Sequence, residues 1–279
     1  MPTNIQATAP QSARAPLPTM YDLPYDDLKD DDMPDEFHHH QAALLFETFQ
    51  PATVPPDQVF SGADMNLYYD PKHALWHKRP DWFGVIGVPR LYRDRESRLS
   101  YVPWDEGGAP LIIVELLSPS TKDEDLGVQV RKRGAQPLKW EVYEQILRVP
   151  YYVVFSREAR KATIHRHDGT RYVKVGGRCR LPEAGIGLGT WQGSYHGITR
   201  FWLRWYDDQG NWIPTGEEAA TRERQRAEHE RRRATHERQR AEHEHQRAEH
   251  ERAEKEQQQQ RAERLAEVLR QLGHDPDQL

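Results

Sequence analysis

A carboxylate sits where a hydrocarbon belongs. Residues 111–117 read Leu-Ile-Ile-Val-Glu-Leu-Leu, so Glu115 interrupts an otherwise unbroken apolar run. Burying an unpaired charge costs several kcal/mol, so Glu115 needs a cation, a hydrogen-bond network or a proton. The plainest solution is an internal salt bridge with an Arg or Lys. Asp81 points elsewhere, because it follows Pro80 and opens a second apolar run, WFGVIGV. Two carboxylates converging from adjacent strands repel each other unless a cation lies between them. Mg²⁺ with oxygen ligands is the usual answer. Such an ion lowers the pKa of bound water and stabilises charge on a scissile phosphate.

A lysine near that pair would neutralise charge in the transition state. Lys139 and Tyr143 lie four residues apart in PLKWEVYEQILR, hence on one face of the helix this segment predicts. A snorkelling lysine on an amphipathic helix is the competing reading. His38, His39 and His40 are consecutive and cannot all face one metal from a helix. His38 is the one placed to approach the site, against the alternative of a surface role. Asp64, after VFSGA, is either a further acidic ligand or a structural hydrogen-bonding group. Gly185-Ile186-Gly187 lacks the following helix that a phosphate loop requires. His229, His236, His243 and His250 share one stripe of the tail and read as a solvated polar face.

The elements that must position these residues follow from periodicity. A helix is predicted from Pro34-Asp35-Glu36, the first turn, through FHHHQAALLFETF, with Phe37, Ala42, Leu44, Leu45 and Phe49 as its apolar side. Residues 58–70 and 82–88 read as strands, and 111–117 as a central strand covered on both faces. Residues 118–136 read as a loop, followed by the helix carrying Lys139. YYVVF at 151–155 is another buried strand, and ATIHR and RYVKV flank a hairpin turn at His167-Asp168-Gly169-Thr170. This order predicts an α/β domain with a mixed sheet. The aromatic-rich stretch 190–214 is expected to cap the core with a helix.

Residues 1–20, rich in Pro, Ala, Ser and Thr, are expected to be disordered, and an acidic patch follows (Asp26, Asp27, Asp30, Asp31, Asp32, Asp35, Glu36). The folded core is assigned to 21–215. From 216 to 279 the chain becomes a seven-residue repeat (RQRAEHE, RRRATHE, RQRAEHE, HQRAEHE). One seam position is mostly Ala, but its companion holds Glu230, Glu237, Glu244 and Glu251, so the coiled-coil seam is poor. Pairs such as Arg226–Glu230 and Glu228–Arg232 support a solvated helix instead, each worth only about 0.3–0.5 kcal/mol. Its last turns, LAEVLRQLG, carry an apolar stripe through Leu265 and Leu272 and stop at Gly273, with Pro276 beyond.

Net charge is −5, so no global basic field advertises nucleic-acid binding. The single cysteine, Cys179, precludes an intramolecular disulfide and suits a reducing cytoplasm. No run of about 20 apolar residues is present to span a bilayer, and the N-terminus has no apolar signal core.

HKRPDWFGVIGV, APLIIVELLSPSTKDEDLG and PLKWEVYEQILRVPYYVVF together resemble the Uma-type family of bacterial "putative restriction endonucleases", within the PD-(D/E)xK nuclease superfamily. The resemblance runs from about Leu23 to Gly216. It implies a restriction-endonuclease-like mixed sheet flanked by helices, dependence on Mg²⁺ (with Mn²⁺ as a substitute), and hydrolysis of DNA phosphodiesters. By position it implies Asp81 and Glu115 as metal ligands and Lys139 as the catalytic cation. Tyr143 would support them, and Ser118 would sit at the rim. The superfamily pattern places lysine two residues after the Glu, but here that residue is Leu117. The lysine role therefore falls to Lys139, with Lys122 and Lys132 as alternatives. Superfamily habit and the apolar end of the tail point to a homodimer. The competing readings are a catalytically silent nuclease fold that binds nucleic acid or a partner, and a structural protein built on the charged helix.

Overall fold

The structure is a computed structural model that describes residues 35–118 and 121–271. The expectations for residues 1–20, for Asp26 to Asp32 of the acidic patch, and for Pro34, Leu272, Gly273 and Pro276 lie outside those residues. The chain divides into two units, one ending at Thr215 and the other beginning at Gly216.

In the first unit, helix α1 (Glu36–Thr48) opens with Asp35 as its N-cap, the side chain accepting from the His38 N–H at 3.0 Å. Asp35 thus precedes the first turn instead of lying within it, because its carboxylate satisfies an orphan backbone donor there. The strands that follow are β1 (Val59–Gly62), β2 (Leu67–Tyr68), β3 (His77–Lys78) and β4 (Trp82–Ile86), then a short helix α2 (Pro103–Glu106) and β5 (Ile112–Leu116). Helix α3 (Lys122–Asp125) interrupts the stretch expected to be loop. Helix α4 (Lys139–Glu141) runs on into a π-turn at Val142–Ile146. Strands β6 (Tyr151–Ser156), β7 (Lys161–His167), β8 (Tyr172–Gly176), β9 (Arg178–Leu181), β10 (Ile186–Tyr195) and β11 (Ile198–Tyr206) complete the unit.

Among the described residues, one sheet has the order β1-β4-β5-β6-β7-β8, parallel between β5 and β6 and antiparallel elsewhere. Every residue of β5 is buried. That is the consequence of an apolar run covered on both faces. Ile112, Val114 and Leu116 face α1 and a second sheet, β11-β10-β9. Ile113 faces the other way, toward Tyr143, Tyr152, Phe60 and Tyr101. By the same alternation Glu115 shares the side of Ile113. Trp82 pairs with Val114 across β4 and β5, which brings Asp81, one residue earlier, beside Glu115.

Residues 190–214 form no helix. β10 and β11 are a hairpin turned by His196-Gly197, both with positive φ (48° and 77°), the two-residue geometry that matches strand twist. Gly193 has room for no side chain, since a Cβ there would meet the Trp191 ring at 1.9 Å. The aromatic residues read as a helical cap instead line a strand surface, where Trp205 packs on Phe49 (5.0 Å) and Trp82 (5.8 Å). Tertiary packing of large rings favours the pleat.

The second unit contains α5 (Gly216–Gln271), with Arg226–Glu230 and Arg232–Glu228 ion pairs at 3.4 and 2.5 Å. Leu265 and Val268 stand exposed. No helix among the described residues is long and apolar enough to cross a membrane.

Gln41 fastens α1 to the second sheet: its amide donates to Leu203 O at 2.9 Å and accepts from Leu203 N–H at 2.8 Å, fully buried. Gln41→Leu leaves both backbone groups without partners. The variant is expected to lose about 2 kcal/mol or more, read as a lower urea midpoint at unchanged slope.

Candidate functional site

The cluster forms at the C-terminal end of β5 and the start of β4. Glu115 is wholly buried, and its two oxygens are held by one residue of α4 and one of the π-turn that continues it. The Lys139 ammonium donates to Oε2 at 3.1 Å and the Tyr143 hydroxyl donates to Oε1 at 2.9 Å. Residues four apart on one helical face deliver both groups to one carboxylate. Tyr143 lies in the π-turn, an irregularity common at functional sites. Across the strand, Asp81 Oδ2 accepts from Leu116 N–H at 2.5 Å, and Asp81 N–H approaches Glu115 Oε2 at 3.5 Å.

Lys139 is shared. Its ammonium also lies 3.0 Å from Asp125 Oδ1, and Asp125 is fully buried. The other Asp125 oxygen accepts from the Thr121 hydroxyl at 2.6 Å, and Tyr152 OH donates to Asp125 O at 2.8 Å. Glu124 accepts from Lys139 N–H at 2.7 Å and pairs with Lys78 at 2.8 Å, tying α3, α4 and β3 together. Asp125 and Glu124 went unrecognised in the sequence because 118–136 read as loop, and Lys78 because 71–81 was assigned to no element. A signal existed: Gly127, at φ 69°, ends the short acidic helix. Which of three consecutive acids turns inward was set by the sheet.

The sequence candidates divide cleanly by position. Asp81, Glu115, Lys139 and Tyr143 converge. His38 joins from α1, its Nδ1 2.7 Å from Asp35 Oδ1, and it feels the charge of Asp81 and the carbonyl of Leu116. Ser118 stands ahead of α3, its hydroxyl 3.1 Å from that of the N-cap Thr121 and its carbonyl accepting from Lys122 N–H at 3.1 Å. Lys122 and Lys132 are exposed. His40 turns away to stack on His196. Asp64 meets the region through its N–H, which donates to Pro80 O at 3.1 Å.

Two buried acids, Glu115 and Asp125, and the half-buried Asp81 face one ammonium, and the titration follows from that imbalance. Burial pushes Asp81 up to about 6, with Lys139 and the Leu116 N–H opposing and Asp125 reinforcing. Burial also drives Glu115 well above the usual carboxylate range. Burial alone would lower Lys139, but Glu115, Asp125 and Asp81 hold it well above the usual lysine range. At the rim, burial opposes ionisation of Asp35, yet hydrogen bonds from His38 and Arg157 keep it well below the carboxylate range.

The surplus negative charge and the hard oxygen donors suit a divalent cation at Asp81 and Glu115. Among the described residues no three His, Cys, Asp or Glu side chains form a ready-made metal set.

The model of a protein family, Uma2, described as "Putative restriction endonuclease", matches residues 26–184, more than half of the chain. The match includes every residue of the cluster and stops before β10. Among solved structures, a "putative nuclease belonging to DUF820" from Anabaena variabilis aligns at 14% identity over 52% of this chain and 70% of that one, with a TM-score of 0.33. No curated protein matches.

Two outcomes are expected from this electrostatic arrangement. Asp81 binds its proton more tightly folded than unfolded, so its stabilising contribution is complete below pH 3.8 and disappears as pH rises through about 6. In metal-free protein Asp81→Asn should therefore raise stability at pH 8 by up to about 3 kcal/mol, a gain that vanishes near pH 4 in paired melting curves. Lys139→Met strands two buried carboxylates and should cost about 3–5 kcal/mol at neutral pH by chemical denaturation.

Proposed function

The chain belongs to the Uma2 family, and on that premise we propose that it hydrolyses DNA phosphodiester bonds at the Asp81–Glu115–Lys139 cluster with Mg²⁺ or Mn²⁺. One observation supports this reading above all. Two carboxylates from neighbouring central strands and a helix-borne ammonium meet in a buried cluster that carries excess negative charge.

Asp81 and Glu115 would hold the cation. Once bound, it would supply acidification of water and neutralisation of phosphate charge. Lys139 keeps its proton under the field of three carboxylates and holds Glu115 Oε2, so its fixed positive charge stands ready where charge builds on phosphate. Tyr143 locks the plane of the Glu115 carboxylate through Oε1. His38, braced by Asp35, closes the α1 flank of Asp81. Ser118 anchors the turn from which Asp125 reaches Lys139. In the net reaction a water oxygen bonds to phosphorus, a bridging P–O bond breaks, and the departing oxygen takes a proton. Pairing of two copies through the exposed Leu265 and Val268 turns of α5 is proposed alongside.

A second reading has its own support. Both Glu115 oxygens already have protein donors, and Lys139 pairs with Asp125, so Glu115 is held as it would be in a purely structural network. On that reading the fold binds nucleic acid without cutting it.

Supercoiled plasmid incubated with Mg²⁺ or Mn²⁺ separates the two. Cleavage by the wild type, reduced on the order of 10²-fold or more in Asp81→Asn and Glu115→Gln, is the expected result, exceeding what loss of a supporting partner costs. A folded wild type that cuts no plasmid, linear duplex or single strand under either ion overturns the hydrolytic proposal.

A further inference from the structure

Beside the cluster, at the same end of the sheet, three arginines share a groove. β6 runs parallel to β5 with Phe155 opposite Leu116, so Arg157 leaves the sheet next to the end that carries Glu115. Arg157, Arg160 and Arg200 line a groove of about 480 Å³ together with Gln192, Phe201 and one acid, Glu158. Arg157 is bound to Asp35, the same carboxylate that caps α1 and holds His38. Arg200 lies over the opposite part of the same turn, its guanidinium carbon 4.3 Å from the centre of the Phe37 ring. Its Nε is buried and has no hydrogen-bond partner among the described residues. Burial and the neighbouring charge of Arg157 both push the Arg200 guanidinium down, whereas Asp35 pulls it up.

Arg160 adds an independent observation. It occupies the turn between β6 and β7 at φ 52°, a left-handed position that suits Gly or Asn and strains an arginine. Its guanidinium carbon lies 5.8 Å from the centre of the Phe201 ring, which holds the charge over the groove. All three arginines lie on aromatic faces, Arg157 and Arg200 over Phe37 and Arg160 over Phe201, and the stacked guanidiniums of Arg160 and Arg200 keep an edge available for bidentate phosphate contact.

We propose that the Arg157–Arg160–Arg200 groove binds backbone phosphates of the nucleic acid flanking the bond presented to Asp81 and Glu115. The inference rests on the nuclease reading but concerns binding, so it is tested without cleavage. The chain is acidic overall, at −5, and a local cationic groove is what would orient an anionic polymer on it.

The measurement is fluorescence anisotropy of a short labelled duplex with full-length protein in EDTA, titrated over a range of salt. Arg160→Gly relieves the turn and should melt no lower than wild type, yet bind roughly 10-fold more weakly with a salt slope smaller by about one. Arg200→Gln should do the same to binding. Lys174→Gln, an exposed charge on β8, should leave affinity and slope unchanged. If Arg160→Gly and Arg200→Gln bind with wild-type affinity and slope while the wild type still cleaves plasmid with Mg²⁺, the groove assignment is wrong and the nuclease reading stands. A wild type that neither binds nor cuts nucleic acid overturns both.

Discussion

A buried ammonium shared between two carboxylates organises the domain around itself. Lys139 lies 3.1 Å from Glu115 and 3.0 Å from Asp125, and neither acid reaches solvent. Low dielectric makes each of these charges costly alone and strongly coupled together. The consequence is geometric. β5 supplies one acid, α3 the other, and α4 must begin at Lys139 for its ammonium to reach both. Glu124 accepting from the Lys139 N–H, and Tyr152 donating to the Asp125 carbonyl, fix the same three elements through the backbone. The charged cluster and the local fold are one arrangement.

That arrangement leaves a remainder of negative charge, and Asp81 carries it. Its backbone continues β4, and its carboxylate is spent partly on the Leu116 N–H. The pocket thus combines a fixed cation with two hydrogen-bonded carboxylates, Glu115 and Asp81, both with raised pKa. Such pairing of perturbed groups is common where proton and phosphate chemistry occur, although structural ion networks also produce it. The satisfied bonding of Glu115 and the unsettled protonation of Asp81 pull toward the two functional readings, and cleavage distinguishes them.

α1 connects the cluster to its surroundings. One face of the helix is bound into the second sheet by Gln41, while its N-terminus carries the cap Asp35, followed by Phe37 and His38 in the first turn. Asp35 engages His38 on the side of the cluster and Arg157 on the side of the groove. A single helix terminus therefore joins the acidic site to the cationic groove through ordinary capping chemistry.

Much of this was legible before any coordinates. Glu115 inside LIIVELL could only be a buried charge needing compensation, and β5 being apolar on both faces made it central. Lys139 and Tyr143 at helical spacing were marked as a pair facing one way, and the hydrophobic periods of α1, β4 and β6 placed the main layers. Local patterns carry that information because burial and periodicity are properties of neighbouring residues. The tertiary structure decided the rest. Asp125 turning toward Lys139, Asp35 bridging His38 and Arg157, and Arg200 lying over Phe37 depend on contacts between residues far apart in sequence. The hairpin of β10 and β11 was misread as a helix for the same reason: its aromatic residues pack against α1 and β4, and that packing, absent from any local window, fixed their conformation.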